Sequence, residues 1–256
     1  MVLPLVWMIS ASLQTMAQVS RYPPTWIPKP IAWENYPKAL TFLPFGLYFK
    51  NTAYVTAVVI AGDLLSNSLA AYGFARFRFR GRDFLFALLL STMMLPGIVR
   101  LIPTYLLFHK LHWINTFAPL MVPAYFASPV YLFLLRQFFL GIPEDLVDAA
   151  RIDGCSEFGI LWQILVPLAK PALATVAIFS FQNSWNDFMG PMIYLTDERL
   201  RTVALGLHSF RGLPYMNTLY NQLMAASTVM VIPMLLVFAF FQRQFVQGVT
   251  LTGIRG

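Results

Sequence analysis

Five long apolar stretches set the pattern of hydrophobic and polar positions along the chain. A helix needs roughly 20 mostly apolar residues to cross the hydrocarbon core of a bilayer. Residues 52–74, 84–105, 117–140, 171–195 and 223–241 reach that length and are separated by polar or proline-rich segments. The pattern therefore predicts an all-α, polytopic bundle of membrane helices in one domain, residues 1–256.

A shorter apolar segment, MVLPLVWMISASL, opens the chain. With about 13 residues it is too short to span a membrane alone. It lacks the basic region and the small-residue cleavage site of a signal peptide. We interpret it as the second half of a first spanning helix whose beginning lies before residue 1 of this sequence.

A run of arginines orients the predicted spans. The segment RFRFRGR, residues 76–82, lies between the first two long stretches. Because cytoplasmic loops are enriched in Lys and Arg, this loop is expected to be cytoplasmic and to anchor the topology, although it could also bind anionic lipid headgroups. Alternation then places residues 141–170 and the C-terminus inside, and residues 14–50, 106–116 and 196–222 outside.

Composition supports the membrane assignment. The chain is 58% hydrophobic and 11% charged, whereas soluble domains carry about 25% charged residues. Its single cysteine, Cys155, excludes an internal disulfide, and three histidines with one cysteine disfavour a metal site of soft ligands. The net charge of +7 fits residues that flank spans, and no nucleic-acid-binding module is recognisable.

Acidic residues concentrate in the predicted inner loop, in the segment EDLVDAARIDG. Pro143 and the first-turn acids favour the start of a helix, and Gly154 stands where a C-terminal cap belongs. This predicts a helix of about ten residues, too short to be stable without packing. One face is expected to hold four residues with helical spacing, namely Leu146, Ala149, Ala150 and Asp153.

A second helix is predicted to follow, with Ser156 as its N-cap. It should end before Pro167 and carry an apolar side made of Phe158, Leu161, Trp162 and Leu165. Spacing alone leaves two alternatives for the first helix. It either packs on its own protein or offers its small residues and carboxylates to a partner.

The loop resembles the EAA loop of membrane subunits of ABC importers. That pattern reads Glu-Ala-Ala, three residues, Gly, nine residues, Ile, one residue, Leu-Pro. Here Asp148-Ala149-Ala150, Gly154, Ile164 and Pro167 keep both gaps, with Asp148 in place of Glu and Val166 in place of Leu. Other segments also resemble carbohydrate-uptake permeases of the maltose-transporter type: PPTWIPKP, ENY, AAYGFARFRFRGRD, RQFF, SWNDF and GVTLTGIRG.

The resemblance implies a type I ABC importer transmembrane domain with six spanning helices in a prokaryotic cell membrane. Its EAA loop would be a coupling helix in a cleft of a cytoplasmic ATPase. Asp148, Ala149, Ala150 and Gly154 would form the docking core, with ionic contacts from Glu144 and Asp153. The implied partners are a second permease in a heterodimer, an ATPase dimer that binds the ATP, an extracytoplasmic solute-binding protein and a carbohydrate.

Polar residues interrupt two of the apolar stretches. Asp63 and Asn67 are four residues apart, as are Asn183 and Asp187, and Asn186 lies beside the second pair. Such residues are expensive in a membrane and often functional. They could line a path for hydroxylated solutes, or they could form hydrogen bonds between helices.

The chain lacks the motifs of several chemistries. It has no GxxxxGK[ST] phosphate loop, no HExxH and no GxSxG. Energy for transport must therefore come from a partner ATPase or from an ion gradient. The first case is a permease subunit of an ATP-driven carbohydrate importer, and the alternative is a secondary transporter or channel with Asp63 and Asp187 as ion sites. A membrane-embedded enzyme is disfavoured.

Overall fold

The computed structural model describes residues 3–211 and 219–253, the stretch 242–253 by its backbone alone, and these ranges contain helices and no strand. Part of the outer segment 196–222 and the end of GVTLTGIRG lie outside the described residues. The α-helices, in chain order, are α1 (Leu3–Ser12), α2 (Met16–Val19), α3 (Asn35–Phe42), α4 (Phe45–Arg76), α5 (Arg82–Ser91), α6 (Gly97–Lys110), α7 (Ala118–Met121), α8 (Pro129–Leu140), α9 (Glu144–Ile152), α10 (Glu157–Gly159), α11 (Val166–Leu168), α12 (Lys170–Trp185), α13 (Met189–Tyr194), α14 (Val203–His208) and α15 (Tyr220–Gly253).

Three helical segments are long and apolar enough to cross a membrane: Phe45–Arg76, Ala118–Leu140 and Tyr220–Phe241. They correspond to the first, third and fifth predicted stretches. Two further pairs of helices pass the same test only together, because each pair is bent, so the described residues hold three to five spans. The prediction of an all-α membrane protein is confirmed, and the single-domain assignment stays a prediction.

The second predicted stretch, residues 84–105, is not one helix. Arg82–Met94 and Gly97–Lys110 meet at an angle of 103°. The break falls at Leu95 and Pro96, where Leu95 is extended with φ −81° and ψ 116°. A residue before proline is driven out of the helical region by contact with the proline ring, so the helix ends there.

The fourth predicted stretch, residues 171–195, is also interrupted. It begins after an 82° bend between Glu157–Leu168 and Lys170–Trp185. Pro171 has no N–H to donate to the carbonyl of Pro167, so the helix cannot continue through the bend without losing a hydrogen bond. The helix then ends at Trp185, and a new one begins at Met189.

The chain divides into two compact units. The first comprises residues 1–54 and 185–239. Asn35 organises its N-terminal part, because its side-chain amide donates to the carbonyls of Ser12 and Gln14, both at 2.8 Å. Asn221 donates to the Asn35 side-chain oxygen at 2.9 Å. These bonds bring the start of α15 to α3 and to the end of α1.

The second unit comprises residues 55–184 and 240–256. Its core joins the C-terminal half of α4 to α8, to the start of α12 and to the loop 141–170. Fully buried aliphatic and aromatic side chains make this core, among them Ala71, Leu132, Leu135, Phe139, Val147, Ile160, Leu165 and Val176. The inner loop is thus packed onto the ends of predicted spanning helices.

Candidate functional site

The predicted short helix in the inner loop is confirmed as α9, Glu144–Ile152. Its end is a Schellman motif, because the N–H of Gly154 donates to the carbonyl of Arg151 at 3.0 Å and that of Cys155 to Ala150 at 2.9 Å. Gly154 has a φ of +80°, which only glycine adopts without a steric penalty. The predicted glycine cap is therefore confirmed.

The residues of the predicted shared face of α9 differ in exposure. Val147 is fully buried and Ala150 is 9% exposed, so these two residues, three apart, attach the helix to its own unit. Leu146, Ala149 and Asp153 are exposed instead. Because Val147 is the larger apolar residue, its burial turns the helix and takes Ala150 inward with it.

Among the residues predicted to dock a partner, only Ala150 is thereby covered. Glu144, Asp148, Ala149, Asp153 and Gly154 are all exposed. Two apolar side chains join them at the surface, Leu146 at 47% and Ile152 at 86% exposure. The outer face of α9 therefore combines exposed carboxylates, one small residue and two exposed apolar side chains.

The second predicted helix begins as expected, with the Ser156 hydroxyl accepting from the N–H of Gly159 at 3.1 Å. Of its predicted apolar side, Leu161 and Leu165 are buried, whereas Phe158 and Trp162 are exposed. The helix also continues past Pro167, through a π-helical turn at Ile160–Leu165 and through α11. Pro167 therefore lies inside the helical segment, one residue before its end at Leu168.

A polar network follows α9. Arg151 donates to Asp148 at 3.1 Å and to both carboxylate oxygens of Glu157, at 2.9 and 3.4 Å. The hydroxyl of Tyr72, in α4, donates to the same carboxylate. Hydrogen bonds from Arg151 and Tyr72 lower the pKa of Glu157. The sequence offered only a weak signal for this network, namely opposite charges on either side of Gly154.

Two arginines join the ends of α4 and α8. Arg76 donates to the carbonyls of Phe139 and Ile142, both at 2.6 Å. Reciprocally, Arg136 of α8 donates to the carbonyl of Phe74 at 3.1 Å. The last carbonyls of a helix have no partner within it, so each arginine caps the other helix. We call these three hydrogen bonds of Arg76 and Arg136 the clasp, and the sequence analysis did not predict them.

The four arginines of the run 76–82 therefore have different surroundings. Arg76 is committed to the clasp and Arg82 pairs with Asp83 at 3.0 Å, whereas Arg78 and Arg80 are exposed. The role of anchoring the topology stays a prediction for this run.

The residues predicted to line a path divide into two groups. Asp63 and Asn67 are 7% and 0% exposed. They share a helix face as predicted, with the Asn67 amide donating to the Asp63 backbone carbonyl at 2.7 Å. The Asp63 carboxylate accepts from the hydroxyl of Ser180, in α12, at 2.7 Å. This geometry favours the alternative of hydrogen bonding between helices.

The predicted helical pair of Asn183 and Asp187 is not formed, because α12 ends at Trp185. Asp187 instead accepts from the N–H of Gly190 at 3.0 Å, in the manner of a helix cap, and this bond competes with continuation of α12. Asn183 donates to the hydroxyl of Tyr131 at 3.0 Å, and Asn186 is exposed. Their place on a path stays a prediction.

Replacing Ser180 with alanine is expected to lower the free energy of unfolding by about 1–3 kcal/mol, because the buried carboxylate of Asp63 loses its donor. Thermal unfolding in nanodiscs measures the change. The double variant Asp63→Asn/Ser180→Ala is the control, since a neutral amide depends less on that donor. Unchanged stability with lost uptake would instead support a place for Asp63 on the path.

Among the described residues, no group of three or more His, Cys, Asp or Glu side chains could hold a metal ion. The candidate site consists of α9, its capping turn and the polar network beside it.

Comparison with known proteins identifies the family. The family model described as "Binding-protein-dependent transport system inner membrane component" matches residues 67–251. The arabinooligosaccharides transport system permease protein AraQ of Halalkalibacterium halodurans is 37% identical, covering 100% of this chain and 91% of that protein. The sn-glycerol-3-phosphate transport system permease protein UgpE of Yersinia pestis is 34% identical, with 94% and 87% covered.

A solved structure supports the fold. It is described as the crystal structure of a bacterial ABC transporter involved in the import of the acidic polysaccharide alginate, and a chain of it matches with a TM-score of 0.86 at 23% identity, covering 95% of this chain and 90% of that one. The type I ABC importer fold implied by the EAA loop is confirmed. A secondary transporter, a channel and an enzyme do not fit this family. The chain belongs to the inner-membrane components of binding-protein-dependent transport systems, and it is a multi-pass permease subunit of the prokaryotic plasma membrane.

Proposed function

We propose that this chain is one of two permease subunits of an ATP-driven carbohydrate importer. It lines half of the translocation path and works with a second permease, a cytoplasmic ATPase dimer and an extracytoplasmic solute-binding protein. Its family is defined by transport that depends on a binding protein. The absence of a phosphate loop from its sequence supports ATP hydrolysis by partner subunits.

The composition of the outer face of α9 supports the proposal that the loop couples to the ATPase. Ile152 and Leu146 are large apolar residues left exposed on a loop predicted to be cytoplasmic. Exposed apolar groups rimmed by charge mark protein interfaces. Ala149 lets a partner surface approach closely, and Glu144 and Asp153 would meet basic groups on it.

The attachments of α9 explain how displacement would reach the membrane. Val147 and Ala150 bury the inner face, and the Arg76 clasp holds the chain just before the helix at Ile142. Closely packed elements move as units and are not easily deformed. When ATP binding closes the ATPase dimer, α9 would therefore carry the cytoplasmic ends of α4 and α8 with it and turn the path outward.

A neutral oligosaccharide is the substrate class that we propose. AraQ proteins of Halalkalibacterium halodurans and Bacillus subtilis, named for arabinooligosaccharides, are 37% and 38% identical to this chain. Asn183, Asn186 and Asp187 are the proposed path residues of this subunit, because amide and carboxylate groups can form hydrogen bonds with sugar hydroxyls. Asp63 and Asn67 are less suited because they are buried in the second unit.

Uptake of labelled arabinooligosaccharides by proteoliposomes holding the assembled transporter tests this proposal. We expect uptake to require internal ATP and the binding protein, and to persist when an uncoupler abolishes the proton gradient. Liposomes loaded with a non-hydrolysable ATP analogue are the control. Uptake that ceases with the uncoupler and survives without ATP would overturn the proposal and favour Asp63 and Asp187 as ion sites.

A further inference from the structure

The carboxylate of Glu157 collects hydrogen bonds from two separate elements. Arg151, in the last turn of α9, binds both of its oxygens, at 2.9 and 3.4 Å. Tyr72, in the last turns of α4, donates its hydroxyl to the same group. Glu157 thus connects the end of the inner-loop helix to the end of a spanning helix by side chains alone.

The Tyr72 end of this connection is rigid. Its side chain is 4% exposed within the core of the second unit, and its ring packs edge-on against Phe77 with centroids 5.1 Å apart. Only the hydroxyl group reaches out of the core towards Glu157. A buried aromatic ring with two rotatable bonds loses little entropy when it holds such a position, so it can act as a fixed strut.

The Arg151 end is open to solvent. The side chains of Arg151, Asp148 and Glu157 are 36%, 55% and 45% exposed. Ion pairs with this exposure add little to stability, since solvent and salt screen them. The network therefore has a small energetic role and a large geometric one, because it fixes the turn after α9 relative to α4.

We propose that Tyr72, Glu157 and Arg151 form a latch that transmits the movement of α9 to α4, with all three acting as positioning residues. The latch rests on the proposed coupling function and deepens it. It also assigns a task to Asp148, which binds Arg151 at 3.1 Å. The carboxylate at position 148 then acts through Arg151 of its own helix, by orienting the guanidinium towards Glu157.

A competing route for the same movement is apolar packing. Val147 and Ala150 already attach α9 to its unit, and this contact would survive loss of the latch. The two routes differ in one measurable respect. If the latch transmits the movement, cutting it leaves ATP hydrolysis running while fewer solute molecules cross for each ATP.

Tyr72→Phe is the test, because it keeps the buried ring and removes only the hydroxyl. In proteoliposomes with the assembled transporter, we expect ATPase association and hydrolysis to stay at wild-type levels. The ATP consumed per solute imported should rise about fivefold or more, the lower end of allosteric coupling between sites. Glu157→Gln should act in the same direction, and Arg151→Lys, which keeps the charge, should retain more coupling than Arg151→Gln.

Tyr125→Phe is the matched control, since Tyr125 lies in the same unit, is 45% exposed and packs at Gly62. It should leave the ratio of ATP to solute unchanged. A parallel fall of hydrolysis and uptake in Tyr72→Phe would indicate a merely structural role and overturn the latch, as would a wild-type ratio. If the wild-type chain fails to bind the ATPase, the proposed function fails and the latch with it.

Discussion

Replacing Ala149 with arginine is expected to release the ATPase from the permease and to stop uptake. Ala149 is exposed at the centre of the outer face of α9, where a partner would lie against the helix. A long charged side chain there would prevent close approach and would be desolvated without a partner. The association should weaken about 30-fold, which corresponds to about 2 kcal/mol, the threshold of an interface hot spot. Co-purification of the ATPase and ATP-driven uptake measure the effect.

Two variants separate docking from folding in this experiment. Ala149→Ser keeps the small volume and should preserve association and uptake. Ala150→Arg places the same charge one residue along, but Ala150 is 9% exposed, so this variant should destabilise the second unit itself. Arginine favours helices almost as well as alanine, so Ala149→Arg should insert and fold normally. If it kept both ATPase binding and uptake, α9 would not be the coupling helix.

Replacing Arg76 with methionine is expected to lower the free energy of unfolding by about 3 kcal/mol. The change removes a charged donor that binds the carbonyls of Phe139 and Ile142 at 2.6 Å. Each bond to a charged group contributes roughly 1.5–3 kcal/mol. The carbonyl of Phe139 would keep its bond from the N–H of Ile142 at 3.2 Å, so the loss should lie near the lower end of the sum. Unfolding of the permease in nanodiscs, followed by tryptophan fluorescence, gives the measurement.

Arg78→Met is the matched control for the clasp. It removes the same charge from the same basic run, but Arg78 is exposed, and exposed substitutions usually change stability by no more than about 0.5 kcal/mol. An equal loss of stability in both variants would mean that the run acts through its charge near the membrane surface. In that case the contacts of Arg76 would not matter separately.

Local features of the fold were predictable from the sequence because they depend on neighbouring residues. The length of three apolar stretches predicted unbroken spans, and the acids after Pro143 predicted the start of α9. Gly154 predicted its end, since a Schellman turn needs a residue with positive φ. The EAA pattern could be recognised in the sequence because all of its residues lie within one continuous loop.

The breaks in two stretches were less predictable, although proline was visible in each. Pro96 ends a helix by its effect on Leu95. Pro103 lies within α6 and ends nothing. The hydrophobic pattern alone does not distinguish the two, because tertiary packing decides which proline is tolerated.

The sequence by itself determined the class of the protein, three of its spans and the short capped helix of the inner loop, because hydrophobic length and capping are local properties. Only the tertiary structure decided which alanine of the Ala149-Ala150 pair is exposed, since Val147 must be buried first. It also decided that Arg76 caps a helix that ends more than sixty residues later in the chain, and that Tyr72 meets Glu157. These contacts join residues distant in sequence, and no periodicity records which distant carbonyl or carboxylate a side chain will reach.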